Sequence, residues 1–425
     1  MDKIRIIGGN RLNGKVSISG SKNSSLPIMI SSILTDDVMH IHNVPKLTDI
    51  KTLILILEEL GATINEIKAK KDDLCESIAI NIANIDNTTA GYENVSKMRA
   101  SFLVIGPLLA REGYARVSMP GGCAIGTRPV DIHLNGLKAL GADIKVEKGF
   151  VIAEAKQGLK GNHIRLEKPS VGATQNLIMA STLAKGETKI SNTSIEPEVF
   201  DLIYCLRKMG AKIEINKKNI HIEGQEKLQG VSHSVMSDRI EAATFAVAAC
   251  ITKGNLTIEG CDSSILDLPL HLLRNIGFQV QDIDNGIHIG DSLADEIKPI
   301  ELVTEPYPGF PTDLQAQFMA LLTQANGVSI INERIFENRF MHVQELVRMG
   351  ADIHLDGDKA VINGKTGLVG AQVMATDLRA SVSLVIAALC AEGETIINRV
   401  YHLDRGFENL EKKLSNCGAV IERIR

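Results

Sequence analysis

The sequence predicts an α/β protein assembled from six related units, and three observations carry that prediction. A string that ends a helix and opens a strand recurs six times. A second string, written for an apolar helix, recurs in phase with it. The 425 residues are too many for one ordinary core, which suggests two or three domains.

The first string reads "LEELGATI" at Leu57, "LKALGADI" at Leu137, "LRKMGAKI" at Leu206, "LLRNIGFQV" at Leu272, "LVRMGADI" at Leu346 and "LSNCGAVI" at Leu414. Its glycines, Gly61, Gly141, Gly210, Gly277, Gly350 and Gly418, recur about every 70 residues. Glycine there suits a left-handed helix cap, and the alternation after it reads as a strand. The second string runs from "SSLPIMISS" in the first unit to "ASVSLVIAALC" in the sixth. It is apolar nearly all round, so that helix is expected to be buried. Each unit then holds two helices and several strands. The period is compatible with a solenoid and with two globular halves of three units.

Composition narrows the function. Aromatic residues are 4%, Trp is absent and the net charge is -5, which argues against stacking on single strands or binding a phosphate backbone. No nucleic-acid partner is expected. The amino-terminal stretch has no signal-peptide core and no later run reaches membrane-spanning length, so a soluble cytoplasmic protein with no membrane partner is expected. Seven cysteines without a C-x-x-C pair fit neither a disulfide framework nor a zinc site. Cys250, Cys390 and Cys417 occupy helix positions filled elsewhere by apolar residues and read as core fillers. Cys75 and Cys205 are less clear, and Cys261 lies in a connection.

The informative residues differ between units at one fixed place. At or just before each buried helix stand Lys22 and Asn23, then Arg99, Lys168 and Ser170, Asp238 and Arg239, Asp313, and Asp377 with Arg379. For Asp and Ser, capping is a sufficient explanation, and at Asp238 and Asp377 it weighs as much as function. For Lys22, Arg99 and Arg379 it is weaker, because a cation opposes the helix dipole at that end. The second helix repeats the theme with Asp49, Asp131, Asp267, Arg339 and Arg405, each 10 to 13 residues before the recurrent glycine. Cations gathered at helix starts in a net-acidic chain suggest a small polyanionic ligand.

Two further runs stand out. "TEPYPGFPTDLQAQF", Thr304 to Phe318, leads through three prolines to Asp313: either a loop with a capped helix or the rigid mount of a general base. "MPGGCAIGTRPVD", Met119 to Asp131, sets Cys123 among three glycines near Arg128, the composition of a lid with a reactive thiol at its tip. An incidental surface thiol is the plainer alternative.

Taken in order, "SKN", "MRASF", "PGGCAIGTRPVD", "KPSVGAT", "DRIEAATF", "FPTDLQAQF", "FENRFMHV", "TDLRAS" and "DRGFE" resemble the bacterial enolpyruvyltransferases that act on UDP-N-acetylglucosamine. The resemblance spans essentially the whole chain. It implies two inside-out α/β domains, each of three βαβαββ units, with residues 22–236 inserted and residues 1–21 joined to 237–425. The implied substrates are phosphoenolpyruvate and UDP-N-acetylglucosamine, with no cofactor and no metal.

The roles it implies attach residue by residue. Lys22, Arg128 and Arg405 would hold phosphoenolpyruvate, with Arg99 and Arg379 nearby. Asn23, Asp313 and Glu337 would contact the sugar, Asp313 taking the proton of its 3-hydroxyl. Cys123 would act as an acid at C3 or in product release, and would be the target of covalent inhibition by fosfomycin. Pro129, Asp131, Ile132, Lys168, Ser170, Val171, Gly172, Phe336 and Arg339 would line the uridine diphosphate side, and Ile335 belongs with the substrate-binding residues. Ser21, Ser24 and Ser25 stand where small apolar residues are usual in that family, and none of them bears on the chemistry. Two rivals remain. The sister enzyme acting on shikimate 3-phosphate carries a "GNAGT" type string that is absent here. A non-catalytic nucleotide-sugar-binding scaffold should have lost some of these charged groups.

Overall fold

The computed structural model describes residues 2–67, 76–121, 130–292 and 296–425. Cys75, Cys123, Arg128 and Pro129 lie outside them. Contacts divide the described chain into two units, one of residues 2–19 and 237–425, the other of 20–121 and 130–236.

The recurrent glycine does what its place in the sequence suggests. It follows the helix caps Leu60, Leu140, Met209, Ile276, Met349 and Cys417, with φ between 95° and 116° at all six positions. At the first copy the Gly61 amide donates to the Glu58 carbonyl and the Ala62 amide to that of Leu57. Such a turn satisfies the last helical carbonyls and demands a left-handed residue, which glycine supplies without a Cβ penalty. The chain leaves it as a strand: Thr63–Ile67, Asp143–Glu147, Lys212–Asn216, Phe278–Ile283, Asp352–Asp356 and Val420–Ile424.

Each unit contains three four-stranded sheets of one plan, in which an outer strand runs parallel to its neighbour and the other two pairings are antiparallel. In three sheets the plan is completed by consecutive strands, and in the other three it is broken in sequence but kept in space, where the chain crosses between units. Ser232–Ser234 pairs with Met39–Val44 and completes a sheet begun almost two hundred residues earlier. Asn13–Ser17 lies parallel to Asn255–Glu259, and Lys3–Ile7 sits between Glu394–Asn398 and Val420–Ile424. The crossing itself is hydrogen-bonded: the Ser21 amide donates to the Met236 carbonyl within one unit, and the Asp238 amide to that of Ser19 within the other.

The apolar helices are enclosed. All residues of Arg239–Ile251 and Gln315–Leu322 are buried, as are all but the last of Ser381–Cys390, and these three helices pack on one another. In the other unit Val171–Ser181 packs on Ile105–Glu112, while Lys22–Ser31 packs on the 3-10 stretch Arg99–Val104. Alanine, serine and glycine let such helices approach closely; a Cβ on Gly106 would fall 1.9 Å from the Asn176 side-chain oxygen. This is the inside-out arrangement, with helices within and sheets around them, each sheet burying alternate residues as in Glu187–Ser191.

Cys205 and Cys261, which the sequence leaves open, are both fully buried, and Cys250 and Cys417 are core residues. Burial pushes the thiols of Cys205, Cys261 and Cys390 up to about 12 and raises those of Cys250 and Cys417.

Candidate active site

In the unit of residues 2–19 and 237–425, the sequence-predicted charges form a connected cluster. The run with three prolines ends in a 3-10 turn, Thr312–Leu314, that leads into the buried helix Gln315–Leu322. Pro311, not Asp313, is the residue at the cap of that turn. The Asp313 carboxylate turns to the arginines. Arg339 Nη2 donates to Asp313 Oδ1 at 2.8 Å, and Arg379 Nε lies 3.7 Å from Oδ2. Both arginine side chains are nearly enclosed, whereas 26% of the Asp313 side chain stays exposed. A carboxylate held by two arginines and still partly exposed can accept a proton from a bound hydroxyl.

Asp238 combines both of its readings. Its Oδ1 accepts from the amides of Ile240 and Glu241, capping the buried helix, and its Oδ2 accepts from Arg379 Nη2 at 3.2 Å. Arg379 Nη1 donates to the Gly406 carbonyl at 3.0 Å, one residue beyond Arg405. Asp377 Oδ1 accepts from the amides of Arg379 and Ala380, each at 2.7 Å. Burial works against the charge of Arg339, but Asp313, Asp377 and Glu333 together outweigh it and hold its pKa above the ordinary value. His342, fully buried, is pushed down to about 4 by burial, which outweighs Asp377 while Arg339 reinforces it; it is neutral near pH 7. Its ring nitrogens have no hydrogen-bond partner among the described residues.

Two expectations need correction here. Arg339 and Arg405 do not open α-helices: Arg339 lies in turns ahead of Val343–Arg348, and Arg405 ends the 3-10 stretch Val400–Arg405 ahead of Leu410–Asn416. The chain makes tighter turns where the other units have helix. Arg339 therefore owes its place to Asp313 and not to a helix terminus. Ile335 and Phe336 are half-buried and Glu337 is exposed in the loop between Val328–Asn332 and these turns.

In the unit of residues 20–236, Lys22 opens the helix Lys22–Ser31 and is itself buried. Its Nζ lies 3.5 Å from Oδ2 of the buried Asp49, which offsets the unfavourable helix dipole. Asn23 is half-buried beside it. Arg99 opens the 3-10 stretch Arg99–Val104 and Asp131 opens the helix Asp131–Ala139, with Ile132 half-buried. Ser170 caps Val171–Ser181 by accepting from the Ala173 amide at 3.3 Å, with Lys168 exposed just before it. Val171 and Gly172 form the first turn, where a Cβ on Gly172 would come within 3.3 Å of the His133 ring.

Sequence reasoning missed two carboxylates that hold these elements. Asp201 accepts from Ser24 Oγ, from the Met236 amide at 3.0 Å and, through its other oxygen, pairs with His233 Nε2 at 2.8 Å. Glu333 gathers four donors around the approach to Asp313. Neither belongs to a helix start; the available signal for Glu333 was a carboxylate three residues before the "FENRF" run.

The fold and the relatives of the chain define the class. The family model for EPSP synthase (3-phosphoshikimate 1-carboxyvinyltransferase) matches residues 6–414. The enolpyruvyl transferase NikO from Streptomyces tendae superposes with a TM-score of 0.88 at 25% identity, covering 99% of this chain and 98% of that one. An EPSP synthase from Acinetobacter baumannii superposes at 0.75 with 19% identity over the whole of both chains, a likeness of fold. Over their full lengths, the UDP-N-acetylglucosamine 1-carboxyvinyltransferases of Xanthobacter autotrophicus and Azorhizobium caulinodans are 55% and 56% identical to this chain. The chain belongs to the enolpyruvyltransferase family.

Proposed function

We propose that the protein transfers the enolpyruvyl group of phosphoenolpyruvate to the 3-hydroxyl of UDP-N-acetylglucosamine, releasing phosphate, as the first committed step of peptidoglycan synthesis in the cytoplasm. The observation that carries the reading is Asp313, held by Arg339 and Arg379 with 26% of its side chain exposed. The choice of acceptor is supported by full-length relatives at 55–56% identity that bear the name of that transferase. No helix among the described residues is long and apolar enough to cross a membrane.

The chemistry is addition and elimination. Asp313 takes the proton of the 3-hydroxyl as its oxygen attacks C2 of phosphoenolpyruvate, and C3 gains a proton to give a tetrahedral adduct. Loss of a C3 proton then restores the double bond as the C2–O bond to phosphate breaks. Lys22, Arg128 and Arg405 hold the phosphate and carboxylate, with Arg99 and Arg379 adding positive charge where negative charge collects. Asn23 and Glu337 hold the sugar; Pro129, Asp131, Ile132, Lys168, Ser170, Val171, Gly172, Ile335, Phe336 and Arg339 serve the nucleotide. Cys123 serves as the acid at C3 or in product release, and its thiolate opens the epoxide of fosfomycin to give a thioether.

Phosphate release from phosphoenolpyruvate, measured with UDP-N-acetylglucosamine or shikimate 3-phosphate as acceptor, tests the reading. Turnover with the nucleotide sugar alone is expected. Turnover with shikimate 3-phosphate in its place, or with neither, would overturn it.

A further inference from the structure

Glu333 is buried, with 3% of its surface exposed, at the end of the strand Val328–Asn332. A carboxylate taken out of water must recover its lost hydration, and four donors supply it. Oε1 accepts from Thr304 Oγ1 at 2.9 Å and from the amides of Ile335 at 2.9 Å and Phe336 at 3.1 Å. Oε2 accepts from Thr312 Oγ1 at 2.8 Å. The backbone reinforces the same junction, since the Thr304 amide donates to the Asn332 carbonyl at 2.9 Å and the Arg334 amide to Thr304 Oγ1 at 2.9 Å.

Those donors come from two segments that the proposed chemistry needs in fixed relation. Thr304 and Thr312 bound the run that mounts Asp313. Ile335 and Phe336 begin the loop assigned to the nucleotide sugar. We infer that Glu333 is a positioning residue for acceptor specificity: its two oxygens bracket the proton-accepting carboxylate's mount and the sugar-nucleotide loop, fixing the distance between them. The inference rests on the functional reading above. Phosphoenolpyruvate is assigned to other residues and should feel the bracket little.

Length and charge of the side chain separate this role from simple neutralisation of Arg339. Glu333→Gln keeps the reach: its Oε1 can still accept from the two amides and Thr304, and its Nε2 can donate to the Thr312 hydroxyl. Glu333→Asp keeps the charge and loses the reach. Initial rates, with KM for each substrate determined separately and Tm recorded for each variant, are the measurement. Glu333→Asp and Glu333→Ala should lower kcat/KM for UDP-N-acetylglucosamine by about ten- to a hundredfold, as a displacement of about 1 Å does in an active site, with KM for phosphoenolpyruvate within about twofold. Glu333→Gln should recover most of the loss. If Glu333→Ala does not fold, Thr312→Val removes one donor and should raise KM for the nucleotide sugar while sparing that for phosphoenolpyruvate. Folded variants with altered Tm and unchanged nucleotide-sugar kinetics would overturn the inference, as would Glu333→Asp outperforming Glu333→Gln or a parallel rise in both KM values. A wild-type protein that releases no phosphate with UDP-N-acetylglucosamine fails at an earlier step, and both the functional reading and this inference fall with it.

Discussion

Asp238 and Arg379 are 141 residues apart in sequence and 3.2 Å apart in the fold, and each is also tied to backbone. The pair joins the start of one buried helix to the residues before another, and the same guanidinium flanks Asp313.

Breaking that pair from the acid side should be costly, because it strips a helix cap and leaves an enclosed guanidinium short of a counter-charge. Asp238→Ala is expected to lose about 3 to 5 kcal/mol of stability, the range for removing one member of a buried ion pair. Urea unfolding read by circular dichroism checks it. A loss under about 1 kcal/mol, the range of exposed pairs, would show that the bridge carries little.

Asp313→Asn keeps an acceptor for Arg339 and removes the base. Turnover should fall by about 10²- to 10⁴-fold, the usual contribution of a general base, while calorimetric affinity for UDP-N-acetylglucosamine changes little. Near-normal turnover would remove Asp313 from the chemical step.

His342 gives the fold a pH dependence of known sign. Its pKa is depressed from 6.5 to about 4 by burial, so the unfolded chain binds the proton first as pH falls. Its stabilising contribution is complete above pH 6.5, declines as pH falls below that value and is lost once pH passes through about 4. In His342→Phe, which forfeits no hydrogen bond seen among the described residues, Tm should fall less between pH 6.5 and 4.5 than in the wild type. Parallel curves would rule out this group as a source of acid sensitivity.

Alkylation should discriminate sharply among the thiols. With Cys205, Cys261 and Cys390 held near 12, and Cys250 and Cys417 also raised, none of the five supplies much thiolate at pH 7.5. Iodoacetamide on the native protein is expected to modify Cys123 first, and fosfomycin with phosphoenolpyruvate site residues intact to add to the same sulfur. Cys123→Asp should remain active and resist fosfomycin, while Cys123→Ser should lose most turnover. Peptide mapping by mass spectrometry is the check, and first labelling at any of these five thiols would contradict the assignment.

What was legible in the sequence was local. The left-handed glycine with its six caps and the all-apolar helices follow from a few residues' steric and hydrophobic preferences, which recur at fixed spacing. Capping at Asp238 was legible for the same reason, but its second bond to Arg379 was not, because nothing nearby in sequence marks a partner so far along the chain. Arg339 was read as a helix start since its spacing to Gly350 is within one residue of that from Asp131 to Gly141, yet a tighter turn satisfies that spacing equally well. Glu333 looks like a polar strand end until its four donors, two of them some twenty to thirty residues upstream, are brought around it.

The pairing of Lys3–Ile7 with Glu394–Asn398 and Val420–Ile424 sets an order of events during synthesis. Ser232–Ser234 completes the last open sheet of the inserted unit, so that unit can close once residue 236 has cleared the ribosome. The strand made almost first must meanwhile wait for strands made last, on the order of tens of seconds at about 5 to 20 residues per second. During that interval Lys3–Ile7 has no native partner along either edge, whereas Asn13–Ser17 gains its partner as soon as Asn255–Glu259 has emerged.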